Sequence, residues 1–157
     1  MAIERRLLTH RTQWAAQFAV ASELCKRGYE VAFTMGNHPS VDIMVSSRSG
    51  DQFGIDVKGL YKRNFWVVKP KAARAALFYV LAYVPTGEAN RFFILDQTQA
   101  NAEIAANDAR SVARAALRGK VITTDSFQGI PWAAADADEY REAWWTLPGS
   151  SETRPAG

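Results

Sequence analysis

The segment from Val41 to Lys58, V-D-I-M-V-S-S-R-S-G-D-Q-F-G-I-D-V-K, constrains this chain more than any other stretch. Two runs of alternating apolar residues flank Ser49-Gly50-Asp51, a turn signal, which predicts a β-hairpin or a closely spaced strand pair. Strand side chains point to opposite faces in turn. Val41, Ile43 and Val45 then share one face, and Asp42, Met44 and Ser46 the other. In the second run Phe53, Ile55 and Val57 fall together, opposite Gln52, Gly54, Asp56 and Lys58. With both apolar faces turned to the core, Asp42, Asp56 and Lys58 emerge on the same side. Two carboxylates and an ammonium on one strand pair make a candidate metal-dependent active site.

Around this segment the pattern is that of an α/β domain. A helix is expected over Thr12–Arg27, capped by Thr12 and ended by Gly28, with Trp14, Phe18, Ala21, Leu24 and Cys25 on its apolar stripe. Gln17 falls inside the apolar arc, and Glu23 on the far side. Residues 1–10 read as a poorly ordered or lightly helical lead-in. Tyr29–Thr34 reads as the first strand, followed by the loop Met35–Ser40. The second half of Tyr61–Lys69 predicts a strand ended by Pro70, and Ala72–Ala76 a short helix. Two further strands are expected over Leu77–Val84 and Arg91–Leu95. An alanine-rich helix over Gln97–Leu117, stopped by Gly119, precedes a last helix over Asp136–Trp145. The order predicts one α/β domain over residues 1–147, a mixed β-sheet flanked by helices, with 148–157 as a flexible tail.

Composition excludes several classes. The 157 residues suit one domain with a sizeable core, and the net charge of +3 permits an anionic partner without demanding one. Cys25 is the only cysteine, so there is no intrachain disulfide and no thiolate cluster, which points to a reducing, cytoplasmic setting. No apolar run reaches the roughly 18 residues that would span a bilayer. No phosphate-cradling loop, dinucleotide fingerprint or nucleophile elbow is present.

A helix with an inward polar residue, then Gly28-Tyr29, a strand, a loop ending in Pro39-Ser40-Val41-Asp42, and then Asp56-Val57-Lys58, resembles the PD-(D/E)XK nuclease-like superfamily. The likeness is to its small members, the Holliday junction resolvase-like and short restriction-endonuclease-like proteins, and covers about Trp14 to Lys69. It implies a restriction-endonuclease-like core in which Asp42, Asp56 and the Val57 carbonyl hold Mg²⁺ or Mn²⁺. Lys58 would assist the attacking water, and DNA would be the substrate. A homodimer is implied for resolvase-like relatives. Mg²⁺ is a hard ion that takes one or two carboxylates with water and substrate phosphate, which suits this set. Many family members carry a glutamate on the inward face of the first helix; here Gln17 stands there. A carboxamide can hydrogen-bond water or substrate but adds no negative charge.

Lys62, Arg63, Lys69 and Lys71, interleaved with Tyr61, Phe65 and Trp66, follow the motif and suggest a ridge tracking phosphates. Equally, they describe a strand edge guarded by lysines. Asn37 and His38 precede Asp42 and could touch nucleic acid, although both are also ordinary turn residues. Cys25 is expected in the core, and Trp132, Tyr140, Trp144 and Trp145 to pack the last helix. The leading expectation is a metal-dependent endonuclease acting on DNA phosphodiesters. Its rivals are a nuclease fold that has lost catalysis and binds nucleic acid, and a protein-interaction domain.

Overall fold

The computed structural model describes residues 2–124 and 127–156. Met1 and Gly157, the outer ends of the expected lead-in and tail, lie outside them. The chain is α/β, with a mixed sheet flanked by helices. Among the described residues the elements run α1 (Ala2–Lys26), β1 (Glu30–Phe33), β2 (Ile43–Ser46), β3 (Gln52–Leu60), β4 (Phe65–Val67), β5 (Leu77–Tyr83), β6 (Arg91–Asp96), α2 (Gln97–Ala116), β7 (Gly129–Pro131), α3 (Trp132–Ala135) and a 3-10 turn (Trp144–Thr146). Five strands form the main sheet in the order β1-β2-β3-β5-β6, and β4 pairs with β7 in a separate ribbon. All neighbours in the main sheet are antiparallel except β3 and β5.

The hairpin forms as its alternation dictates, with Ile43 opposite Ile55 and Val45 opposite Phe53. Those four residues, with Val57, Val80 and Ile94, pack under α1. The other face buries Tyr79, Leu81, Phe93 and Leu95 beneath α2 and the β4–β7 ribbon. β5 is buried along its whole length, as a central strand covered on both faces should be. No described helix is long and apolar enough to cross a membrane.

Helix α1 differs from the expectation in start and in rotation. It runs from Ala2, so Thr12 is internal, and its hydroxyl donates to Leu8 O at 2.8 Å instead of capping. Its buried line is Thr12, Ala16, Gln17, Val20, Ala21 and Leu24; Ala21 and Leu24 are where expected, while Phe18 is 58% exposed and Cys25 is exposed. Small residues win the sheet-facing side because the helix comes very close there. A Cβ built at Gly59 would stand 2.8 Å from Ala16 Cβ and 2.9 Å from Thr12 O. The exit follows the sequence. Gly28 takes φ +84°, Gly28 N–H bonds Cys25 O and Tyr29 N–H bonds Leu24 O, the pairing of a left-handed helix stop.

Two expected helices are absent, each for a visible reason. Residues 71–76 stay irregular because α2 side chains take their backbone groups. Asn101 pairs with both Lys71 N–H and Lys71 C=O, and Gln97 Oε1 accepts Arg74 N–H at 2.6 Å. Over Asp136–Trp145 the backbone instead forms turns, lays residues 140–142 along the free edge of β6, and enters a 3-10 turn over Trp144–Thr146. Tyr140 O accepts from Ile94 N–H, and Glu142 N–H donates to Phe92 O at 2.8 Å. An edge strand's unpaired groups outcompete a short helix there. Trp144 is fully buried on this segment, with its Nε1 donating to Glu142 Oε2. The terminal segment lacks regular structure, yet Tyr29 Oη donates to Pro148 O at 3.0 Å and Arg27 pairs with Glu152 at 2.8 Å.

Candidate functional site

β2 begins only at Ile43, so Val41 and Asp42 lie on the bend that leads into it. The strict alternation expected for Val41 is broken there. A Cβ at Gly54 would meet Val41 Cγ2 at 2.9 Å, which puts the Val41 side chain over β3 on the side of Asp56 and not with Ile43. Asp42 still enters the ladder through its N–H, which donates to Ile55 O at 2.9 Å. Its carboxylate then folds back on the same strand. Oδ2 accepts Val57 N–H at 2.8 Å, taking over a ladder bond that main chain would otherwise make, and Oδ1 receives Gln17 Nε2 at 3.4 Å. Burial pushes the Asp42 carboxyl above the usual carboxylate range and Asp56 adds to the rise; the Val57 N–H, Lys58 and Lys71 partly offset it. Asp42 is thus within electrostatic reach of all three charged neighbours.

Asp56 is only 3% exposed, on a strand paired on both sides. Its two oxygens each meet an ammonium, Lys58 Nζ at 2.6 Å from Oδ1 and Lys71 Nζ at 2.6 Å from Oδ2. Lys71 also makes a hydrogen bond. Lys58 stands at ion-pair distance but off the direction a hydrogen bond needs, so buried Oδ1 has no hydrogen-bond donor among the described residues. Oδ1 is therefore held by the charge of Lys58 and not by an aligned hydrogen bond, and an incoming cation would share or displace that ammonium.

Three side chains join the site without having been expected in it. Gln13, one turn before Gln17, lies along the β3 edge where β2 has ended. Its Nε2 donates to Val57 O at 2.7 Å and its Oε1 accepts Gly59 N–H at 3.3 Å, so one carboxamide imitates a strand residue. The signal was present as an i, i+4 glutamine pair beside Ala16, but only with the helix correctly rotated. Lys71, expected on a nucleic-acid ridge, instead faces Asp56. Its ammonium is also 5.6 Å from the centre of the Tyr79 ring. Tyr79 is opposite Asp56 in the β3–β5 register, with a buried hydroxyl that has no partner among the described residues. Burial, with the Asp56 charge beside it, pushes that hydroxyl up to about 12.

The remaining expected nucleic-acid residues spread apart. Arg63 pairs with Glu88 at 2.9 Å and covers the Trp132 and Tyr83 rings. Lys62 lies over Tyr61 and Lys69 is exposed. Asn37 and His38 are turn residues: Asn37 N–H donates to Thr34 O, and His38 Nδ1 accepts Ser40 N–H at 3.3 Å. Next to them, His38, Val41, Met44 and Arg74 help line a cleft of about 340 Å³.

The donor set fits a hard divalent ion in kind: two carboxylates and the Val57 carbonyl, on which Gln13 uses one of two lone pairs. Asp56 Oδ1 would be shared between such an ion and the Lys58 ammonium 2.6 Å away. No group of three or more His, Cys, Asp or Glu side chains suited to a metal is found among the described residues. Any ion here would therefore rest on two carboxylates and backbone. No family model, no curated protein and no solved structure matches the chain.

Proposed function

We propose that the chain is a metal-dependent nuclease that hydrolyses DNA phosphodiester bonds at the Asp42–Asp56–Lys58 centre. The observation that carries this is the meeting of two buried or half-buried carboxylates at one end of a strand pair, with the Lys58 ammonium 2.6 Å from Asp56 Oδ1. The mixed sheet flanked by helices is compatible with a restriction-endonuclease-like core, and that finer reading of the fold belongs to the same proposal.

Asp42, Asp56 and the Val57 carbonyl would hold Mg²⁺ or Mn²⁺, which supplies a water of lowered pKa and neutralises charge growing on the phosphorus oxygens. The chain's own groups do the rest. Val57 N–H and Gln17 fix the Asp42 carboxylate, so its oxygens stay oriented without substrate. Gln13 holds the Val57 peptide in place from its other side. Lys58 is partly exposed and is positioned to hold the attacking water or a phosphate oxygen. Lys71, anchored by Asn101, offsets the charge of Asp56 and keeps the carboxylate turned toward Lys58. Purified protein with Mg²⁺ or Mn²⁺ should cut at least one of linear, nicked and four-way-junction DNA. If wild type cuts none better than Asp56→Ala, the enzyme reading is lost.

A second reading has its own support. Asp56 is already balanced by two ammonium groups, and Gln17 adds no charge, so the centre is electrostatically self-sufficient without metal. A nuclease fold kept for nucleic-acid binding or assembly predicts no Asp42-dependent heat on Mn²⁺ titration. The nuclease predicts saturable heat that disappears in Asp42→Ala.

A further inference from the structure

On the ridge after Lys58, Asp56 engages Lys71, and Glu88 with two aromatic rings engages Arg63, while Lys62 and Lys69 stay exposed. A second set of cations lies on α2 and past its end. Arg110 and Arg114 lie one turn apart, both exposed, and neither has an ion pair among the described residues. Like charges at that spacing destabilise a helix by a few tenths of a kcal/mol, so the pair is a cost that folding alone does not reward. Both arginines line a cleft of about 640 Å³ between α2 and the β4–β7 ribbon, together with Asn107, Ser111, Phe65 and Phe127. Phe127 is 76% exposed. Arg118 and Lys120 extend the positive charge past the helix end.

Guanidinium pairs bind phosphate bidentately, and exposed aromatic rings stack unpaired bases; a duplex offers the phosphates but hides the base faces. We infer that this cleft binds a single-stranded segment of nucleic acid, with phosphates on Arg110 and Arg114 and a base against Phe127. The inference deepens the nuclease reading, and it rests on that reading for how the strand runs. Lys71, which meets Asp56, is tied to Asn101, and Arg114 lies about 20 Å farther along the helix at 1.5 Å per residue. A strand joining the two places spans at most about six nucleotides, the number at the ~3.4 Å spacing of a stacked duplex strand, and fewer when extended.

The test measures anisotropy of labelled 12-nucleotide single strands of DNA and RNA, and of the DNA duplex, in EDTA over a salt series. Wild type should bind single strands more tightly than duplex. Arg110→Gln/Arg114→Gln should weaken single-strand binding at least tenfold. It should also flatten the log–log salt slope by about 1.4, at ~0.7 per phosphate contact. The single variants should each show half that slope change, which keeps the test readable if the double variant folds poorly. Phe127→Ala should weaken binding about tenfold and leave the slope unchanged. A preference between DNA and RNA strands assigns the source of the segment. Wild-type binding in the arginine variants overturns the inference. So does a preference for duplex, or loss confined to Lys62→Gln/Lys69→Gln. Metal-free binding is independent of cutting, so failure to cleave removes the nuclease reading and leaves this result standing.

Discussion

The two ends of the β2–β3 hairpin each present an aspartate, and the two are held in opposite ways. At the turn, Asp51 Oδ2 accepts from the Ser47 and Ser49 hydroxyls at 2.8 and 2.6 Å. Those two bonds, from Ser49 first and then Ser47, hold its carboxyl below the usual range. At the open end, burial drives Asp42 the other way. Asp51 is a carboxylate whose charge the fold rewards. Asp42 is one whose charge the fold tolerates, and Asp56 beside it needs two lysines. Sites that gain from an incoming cation look like the second and not the first.

The largest expected effect separates the two ends directly. Asp56→Asn should lower DNA cleavage by at least about a hundredfold, the scale of losing a principal electrostatic contact to a transition state. Asp51→Asn should leave the rate near wild type. Equal losses in the two variants would erase the distinction between the ends. Next, Gly59→Ala should destabilise the fold by about 1–3 kcal/mol in denaturant melts, because the new methyl meets Ala16 Cβ at 2.8 Å and Thr12 O at 2.9 Å. Since it pushes α1 from the strand edge, Gln13 and Gln17 lose their partners and cleavage should fall with stability. Unchanged melting would mean that the close approach of α1 is not needed.

Gln17→Glu sharpens the contrast from the other direction. A third carboxylate beside Asp42 should tighten Mn²⁺ binding by about tenfold in calorimetry, since affinity follows ligand charge. No gain would detach Gln17 from the site. The smallest effects are on stability against pH. Asp42 binds its proton more tightly folded than unfolded, so its contribution declines as pH rises from its unfolded value near 3.9 through the raised folded value. In EDTA at pH 7, Asp42→Asn should therefore melt higher than wild type, and the gain should vanish in acid. For Asp51 the sign reverses, because its folded value is depressed. Asp51→Asn should melt slightly lower at neutral pH, with the difference lost as pH falls through that depressed value.

Much of the site was legible because strands report their faces locally. The period-two pattern put Asp56 and Lys58 on one face, and the turn residues set the register that joins them to Asp42. Val41 escaped that pattern because the strand had not yet begun. In sequence Lys71 belongs to the ridge, because nothing within its own segment tells of Asn101, which lies thirty residues later and pins its backbone. Gln13 was missed for a related reason. A helical wheel ranks residues by polarity, whereas α1 is rotated by how closely small side chains let it approach Gly59.

By itself the sequence determined what short-range stereochemistry can carry: the hairpin and its faces, the helix stops at Gly28 and Gly119, the apolar central strand, and the shared face of Asp56 and Lys58. Tertiary structure decided the rotation of α1, the β4–β7 pairing, the run of residues 140–142 along β6, and the second ammonium on Asp56. The division follows from distance along the chain. Backbone preferences act over a few residues, but unpaired strand edges and buried charges take whichever partner the finished packing brings within reach.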